Sequence, residues 1–143
     1  TDAGHTLADA AARHLGHGGP VHLVSRLDRD TSGLVLVAAT PLLHRRMAGQ
    51  MAARTLARSY LAVVDGHPPA EGRVDAPIGR DPNDPPLRAV REDGQPARTR
   101  FRVLRHLAGA ALVEVELETG RTHQIRVHMA HLGHPVLGDR WYG

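Results

Sequence analysis

The spacing of apolar positions changes several times along this chain, and each change predicts an element. Thr6-Leu7-Ala8-Asp9 reads as a helix start, with Thr6 as N-cap and Asp9 three residues on. Leu7, Ala11 and Leu15 then fall on one face, and Gly16 to Pro20 ends the helix. Val21 to Leu27 alternates loosely, as a short strand would, and the unbroken apolar run Leu34 to Ala38 predicts a buried strand. Thr40-Pro41 pairs a cap with a proline suited to the first helical position. The helix it opens turns Leu43, Met47 and Met51 inward and Arg45, Arg46 and Arg54 outward.

Arg58 to Asp65 reads as another strand, stopped by Gly66-His67-Pro68-Pro69. Residues 76–96 hold five of the ten prolines plus Gly79 and Gly94, which predicts a long loop or a pair of weak hairpins. Thr99 to Leu104 and Ala111 to Glu118 alternate as antiparallel partners across a turn at His106–Ala110. Leu112, Val113, Val115 and Leu117 are assigned to the apolar side, with Glu114, Glu116 and Glu118 outward. Gly120 breaks the strand, Thr122 caps a helix running to about Leu132, and Gly133 stops it. No repeat, low-complexity tract or linker interrupts this order. It predicts one α+β domain: a mixed, mainly antiparallel sheet with flanking helices.

Composition sharpens the picture. The 143 residues are 41% hydrophobic but only 3% aromatic, so the core rests on Leu, Val, Ala and Ile around Phe101, Tyr60, Tyr142 and Trp141. All 18 basic residues are arginine, and against 15 acids they leave a net charge of +3. An arginine surplus suits phosphate and base edges, although GC-rich coding bias also replaces lysine. With no cysteine, disulfide scaffolds, thiol nucleophiles and thiolate zinc sites are excluded. No apolar run reaches membrane-spanning length and no signal-peptide pattern opens the chain, so a cytoplasmic protein is expected.

The densest polar segment, Ser25-Arg26-Leu27-Asp28-Arg29-Asp30-Thr31-Ser32-Gly33, lies between two predicted strands. A calcium loop is one reading, but its twelfth position would be Ala39 rather than a bidentate acid. An aspartyl phosphotransferase is a second, on Asp28 and Asp30, with no lysine present to steady a phosphate. In a third, Asp28 is a lone nucleophilic carboxylate kept ionised by nearby arginines. An ordinary polar turn uses the same residue types.

The second segment, Thr119-Gly120-Arg121-Thr122-His123-Gln124-Ile125-Arg126-Val127-His128, offers an anion-friendly helix start. Arg126, one turn below Thr122, can reach an aspartate, and His123 and Gln124 can bond base edges or phosphate. A merely solvated helix fits the same pattern. His123, His128, His131 and His134 suggest a metal, but eleven histidines cluster by composition alone, and no metal is expected. Tyr60 beside Arg58 is either a stacking platform for a base or a core residue with its hydroxyl at the edge.

Together these segments strongly resemble the RluA-type RNA pseudouridine synthases. Arg26 to Gly33 resembles their catalytic motif, and Gly120 to His128 their later motif, continued by Gly133-His134-Pro135, Gly138-Asp139 and Tyr142-Gly143. Arg58-Ser59-Tyr60 falls where the family has a basic-x-Tyr element. Ser25 stands where the family usually has histidine and Arg58 where it has lysine.

The resemblance implies isomerisation of uridine in ribosomal or transfer RNA to pseudouridine, with no cofactor. It implies Asp28 as nucleophile, Arg126 as its ion-pair partner and Tyr60 stacked on the uracil. Arg26 would fill the gap left by the flipped nucleotide. Arg29, Thr31, Arg58, Arg121, Thr122, His123 and Gln124 would contact RNA. It also implies that residues 1–143 are a catalytic domain shortened at both ends, without an S4-like RNA-binding domain, acting as a monomer. A non-catalytic RNA-binding module is the alternative.

Overall fold

The computed structural model describes residues 6–16 and 18–143, and His17, within the expected end of the first helix, lies outside them. The chain divides between Leu56 and Ala57 into two compact units.

In the first unit, α1 spans Leu7–His14. Its capping box is formed as the sequence predicts, Thr6 accepting from the Asp9 amide and Asp9 from that of Thr6. Strands β1 (His22–Leu23) and β2 (Val37–Ala38) pair antiparallel over two residues each, and α2 runs Pro41–Ala52 behind the Thr40 cap. The expected strand from Leu34 is therefore shorter: Leu34 is 94% exposed, and only Val37–Ala38 reach the ladder. Gly33, at φ +139°, still belongs to the turn, so an apolar run beginning one residue later is largely loop.

The second unit is built on an antiparallel sheet of β3 (Ser59–Asp65), β8 (Ala110–Leu117), β7 (Arg98–Leu107) and β4 (Glu71–Asp75), in that order. A hairpin of β5 (Ile78–Arg80) and β6 (Arg88–Val90) occupies the proline-rich stretch. Helix α3 covers Gln124–His131. The inner sheet face contributes Val64, Phe101, Ala111, Val113 and Val115, and Met129 of α3 packs on them. Beside it, Val127 of α3 packs with Ile78 and Ala97.

Two sequence expectations shift here. Leu112 lies opposite Val63, in phase with Glu114 and Glu116; strict alternation makes Ala111, Val113 and Val115 the buried set. The β7–β8 connection is the tight Ala108-Gly109 turn, with a register shift between Val103 and Arg105 absorbing one extra residue. Every strand pairing among the described residues is antiparallel. No helix among them is long and apolar enough to cross a membrane.

Gly94 anchors the proline-rich stretch to the sheet-side hairpin. A Cβ there would stand 2.6 Å from the Ile78 carbonyl carbon and 2.9 Å from the Arg91 oxygen. Because these are backbone atoms, Gly94→Ala is expected to destabilise the second unit by about 1–3 kcal/mol. Gly49→Ala on α2, with open space around its Cβ, is expected to gain about 0.5–1 kcal/mol from helix propensity. Urea midpoints of the two variants check the pair, and an unchanged midpoint for Gly94→Ala would remove the role given to that close approach.

Candidate functional site

Within the first unit, the segment from Val24 to Leu36 is the loop of the β1–β2 hairpin. Its base is closed twice: the Val24 amide donates to the Leu36 carbonyl at 2.8 Å, and the Leu36 amide donates to Ser25 Oγ at 2.9 Å. Ser25, the position departing from the family pattern, is thus the side chain that pins the loop. Above it the Thr31 amide donates to the Asp28 carbonyl, making a turn of Asp28 to Thr31. Asp28 is half-buried, whereas Arg26, Arg29 and Thr31 are exposed on the loop.

The second unit holds the remaining candidates. Tyr60 sits on β3 opposite Val115, half-buried against the core. Two positions earlier, the Arg58 guanidinium lies over Gly120; a Cβ there would come 2.5 Å from Arg58 Nη1. The basic-x-Tyr element and the Gly-Arg-Thr-His segment are therefore in contact, with the Arg58 guanidinium resting against the open side of Gly120.

Gln124 does not present itself to a ligand. It is 2% exposed, and its Oε1 accepts from the Thr119 hydroxyl at 2.8 Å and the Arg121 amide at 2.9 Å. Its Nε2 donates to the Arg98 carbonyl and to Thr99 Oγ1, both at 2.9 Å. All four of its hydrogen-bonding positions are used inside the protein, leaving none for the RNA contact expected of it. Thr122 is exposed just before α3, and Arg121 donates from Nε to the Pro96 carbonyl. The cap of α3 is His123 rather than Thr122: His123 adopts the left-handed conformation, φ +57°, and offers no side-chain cap. Such a backbone is uncommon outside glycine and turns the chain sharply into the helix.

His123 Nδ1 lies 3.0 Å from the Tyr142 hydroxyl. That hydroxyl also accepts from the Arg88 amide, and burial raises the Tyr142 pKa, keeping the phenol protonated.

Arg126 projects from α3 into a fork with Asp139. Nε to Oδ2 is 2.6 Å and Nη2 to Oδ1 is 2.9 Å, and the Asp139 side chain is only 5% exposed. The guanidinium carbon lies 4.8 Å from the Tyr142 ring centroid and 5.4 Å from that of Trp141. Hydrogen bonding from Arg126 holds the Asp139 carboxyl below its ordinary value, against the opposing effect of burial. Sequence reasoning gave Asp139 and Tyr142 only as a continuation of the second motif; an acid thirteen residues beyond Arg126 carries no periodic signal of contact.

The four histidines weighed for a metal are dispersed. His128 is buried between Thr99 and Ala76, His134 reaches the Asp65 carbonyl, His123 reaches Tyr142, and His131 is exposed. Among the described residues no group of three or more such side chains could hold a metal ion.

His128 carries a pH dependence. The Ala76 carbonyl, 2.9 Å from Nε2, can only accept, so Nε2 holds the proton and Nδ1 accepts from the Thr99 hydroxyl at 2.8 Å. Burial lowers the pKa of His128 from 6.5; the Ala76 contact and Asp75 pull it up and His131 pulls it down. A folded-state pKa below the unfolded one gives stability that is present above about pH 6.5 and is lost as pH falls below it. The slope contributed by one proton is at most about 1.4 kcal/mol per pH unit. Urea unfolding between pH 7.5 and 5.5 should show it, and His128→Gln should flatten the profile. An equally steep profile in the variant would move the effect to other histidines.

Comparison with known proteins agrees with this picture. The family model described as RNA pseudouridylate synthase matches residues 2–131. An uncharacterized RNA pseudouridine synthase of Chloroflexus aurantiacus is 53% identical over 121 residues, covering 85% of this chain and 38% of that protein. Ribosomal large subunit pseudouridine synthase D of Zymomonas mobilis is 44% identical over 148 residues, covering 97% of this chain and 47% of that one. The chain thus spans less than half the length of these curated relatives. Among solved structures, human RNA Pseudouridylate Synthase Domain Containing 1 superposes with a TM-score of 0.84 at 29% identity, covering 96% of this chain and 60% of its own. On a family match spanning most of its residues, carried by the Asp28 loop and the Gly120–His128 segment alike, this chain belongs to the RNA pseudouridylate synthase family.

Proposed function

We propose that residues 1–143 act as a catalytic domain that isomerises uridine in RNA to pseudouridine, without a cofactor. The observation that carries this reading is the contact of Arg58 with Gly120, which joins two of the three motif segments in one unit while Arg126 is held rigidly on the helix that follows. The reaction breaks the bond between N1 of uracil and C1′ of ribose and forms one between C5 and C1′. The C5 proton is lost and N1 is protonated, so atoms balance with no oxidant, reductant or metal.

Asp28 is the nucleophile that drives release of the base, and Arg126 pairs with it, favouring the charged carboxylate. Tyr60 stacks on the detached uracil as it turns and assists removal of the C5 proton. Arg26 takes the place vacated by the flipped nucleotide, since a stacked base cannot be reached otherwise. Exposed Arg29, Thr31 and Thr122, together with Arg58, Arg121 and His123, contact the RNA. Binding is accordingly salt-dependent. Relatives named as ribosomal large subunit pseudouridine synthase D favour ribosomal over transfer RNA as substrate. We place the domain in the cytoplasm as a monomer.

Asp28→Ala is expected to abolish pseudouridine formation in ribosomal RNA, measured by mass-labelled uridine. Its RNA affinity should stay within about threefold of wild type, because loop arginines and not the carboxylate supply the phosphate contacts. Retained turnover in this variant would sink the mechanism. Salt-sensitive binding with no pseudouridine from wild type would instead make the chain an RNA-binding module.

A further inference from the structure

Asp139 and the aromatic pair that follows it surround Arg126 without being part of any motif role assigned above. An arginine on a helix of about two turns has four rotatable side-chain bonds, and a role in pairing with a carboxylate requires one orientation of its planar fork. The structure supplies three restraints on that orientation. Asp139 takes Nε and Nη2 in a bidentate grip, the geometry that fixes both position and plane of a guanidinium. The Tyr142 and Trp141 rings approach its carbon at 4.8 and 5.4 Å. Asp139 is itself held, with Oδ1 accepting from the Trp141 amide at 3.1 Å and the Tyr142 amide at 3.3 Å.

We infer that Asp139 is a positioning residue for the isomerisation: by gripping the Nε–Nη2 edge of Arg126 it fixes the place and plane of the guanidinium on which the reaction depends. This rests on the isomerase reading above. The same turn touches a second candidate, because the Tyr142 hydroxyl lies 3.0 Å from His123 Nδ1. The Asp139–Tyr142 turn thereby holds Arg126 through its carboxylate and ring, and the capping His123 through its hydroxyl.

The test is a double-mutant cycle in the intact protein, using Asp139→Asn, Arg126→Met and their combination. Asparagine can still accept the Trp141 and Tyr142 amides, so it removes the charge and the fork but keeps the turn. For Asp139→Asn, kcat is expected to fall about 10–100-fold, the usual cost of losing a group that orients a working side chain. KM for RNA should change less than about threefold, and Asp139→Glu should recover part of the loss. The double variant should be no slower than Arg126→Met alone, because a residue that acts through Arg126 has nothing left to act on. Additive losses, or a loss confined to KM, would overturn the inference. So would an unchanged kcat for Asp139→Asn beside an active wild type, which leaves the isomerase reading standing. In the unmodified protein the Arg126 Nε–H should exchange slowly with solvent by NMR. Exchange as fast as that of an exposed arginine would overturn the grip without reference to any variant. Wild type that exchanges slowly but makes no pseudouridine would overturn the isomerase reading, and the positioning role with it.

Discussion

Gln124 and His128 lie four residues apart on α3, one above the other, and both end at Thr99 of β7. A buried threonine hydroxyl can donate once and accept; here it accepts from Gln124 and donates to His128. The chain of bonds continues from Gln124 to Thr119, Arg121 and Arg98, and from His128 to Ala76. No buried side-chain polar atom among the described residues is left without a partner, so this network is closed. A closed network in a low-dielectric interior specifies one arrangement, because any slip of α3 along the sheet would strand several groups at once. One helical turn of displacement would carry Gln124 to where His128 now sits, and neither side chain fits the other's partners. The positions of Arg121, His123 and Arg126 all depend on that fixed register.

The division between what the sequence reveals and what it hides follows from range. Thr6 with Asp9 and Thr40 with Pro41 were readable because capping is decided within four residues. The β7–β8 hairpin was readable because alternation holds from Arg98 to Val103, ahead of the register shift, although the phase of Leu112 was not: an apolar residue beside Val113 looks equally fit for either face. The buried bonding of Gln124 is hidden for a related reason. In sequence it stands in a polar run at a helix start, and nothing local says that Thr99 and Thr119 will meet it. Likewise Asp139 declares nothing about Arg126 until the chain folds back after Gly138. The Asp28 loop was legible as a motif but not as a shape, since its base is closed by Leu36, eleven or more residues away, bonding Val24 and the Ser25 hydroxyl.

The arginine surplus looks different once partners are assigned. At least six of the 18 arginines face carboxylates: Arg73, Arg91, Arg98, Arg100, Arg102 and Arg126. Four of these stand on the outer face of the β4–β7–β8 sheet, where Glu118 meets Arg73, Arg98 and Arg100, and Arg102 meets Glu114. Such solvent-screened pairs each contribute little stability. Their consequence is register and sign. Arg102 lies directly opposite Glu114 and Arg100 opposite Glu116, so a slip by one residue would set each arginine against an apolar neighbour and turn one strand's charges to the buried face.

A face of interleaved acids and arginines also offers no net attraction for a polyanion. With Arg73, Arg98, Arg100, Arg102 and Arg105 set against Glu71, Asp75, Glu114, Glu116 and Glu118, the outer face of β4, β7 and β8 carries acid and base in equal number. The formal +3 of the chain must then arise elsewhere, above all in residues 31–64, which hold Arg45, Arg46, Arg54 and Arg58 and no acid; in the β1–β2 loop Asp28 and Asp30 balance Arg26 and Arg29. A uniformly basic surface would bind RNA in many orientations with similar strength. Neutralising one broad face leaves fewer productive approaches and makes the distribution of charge, more than its total, the quantity that matters for an anionic partner.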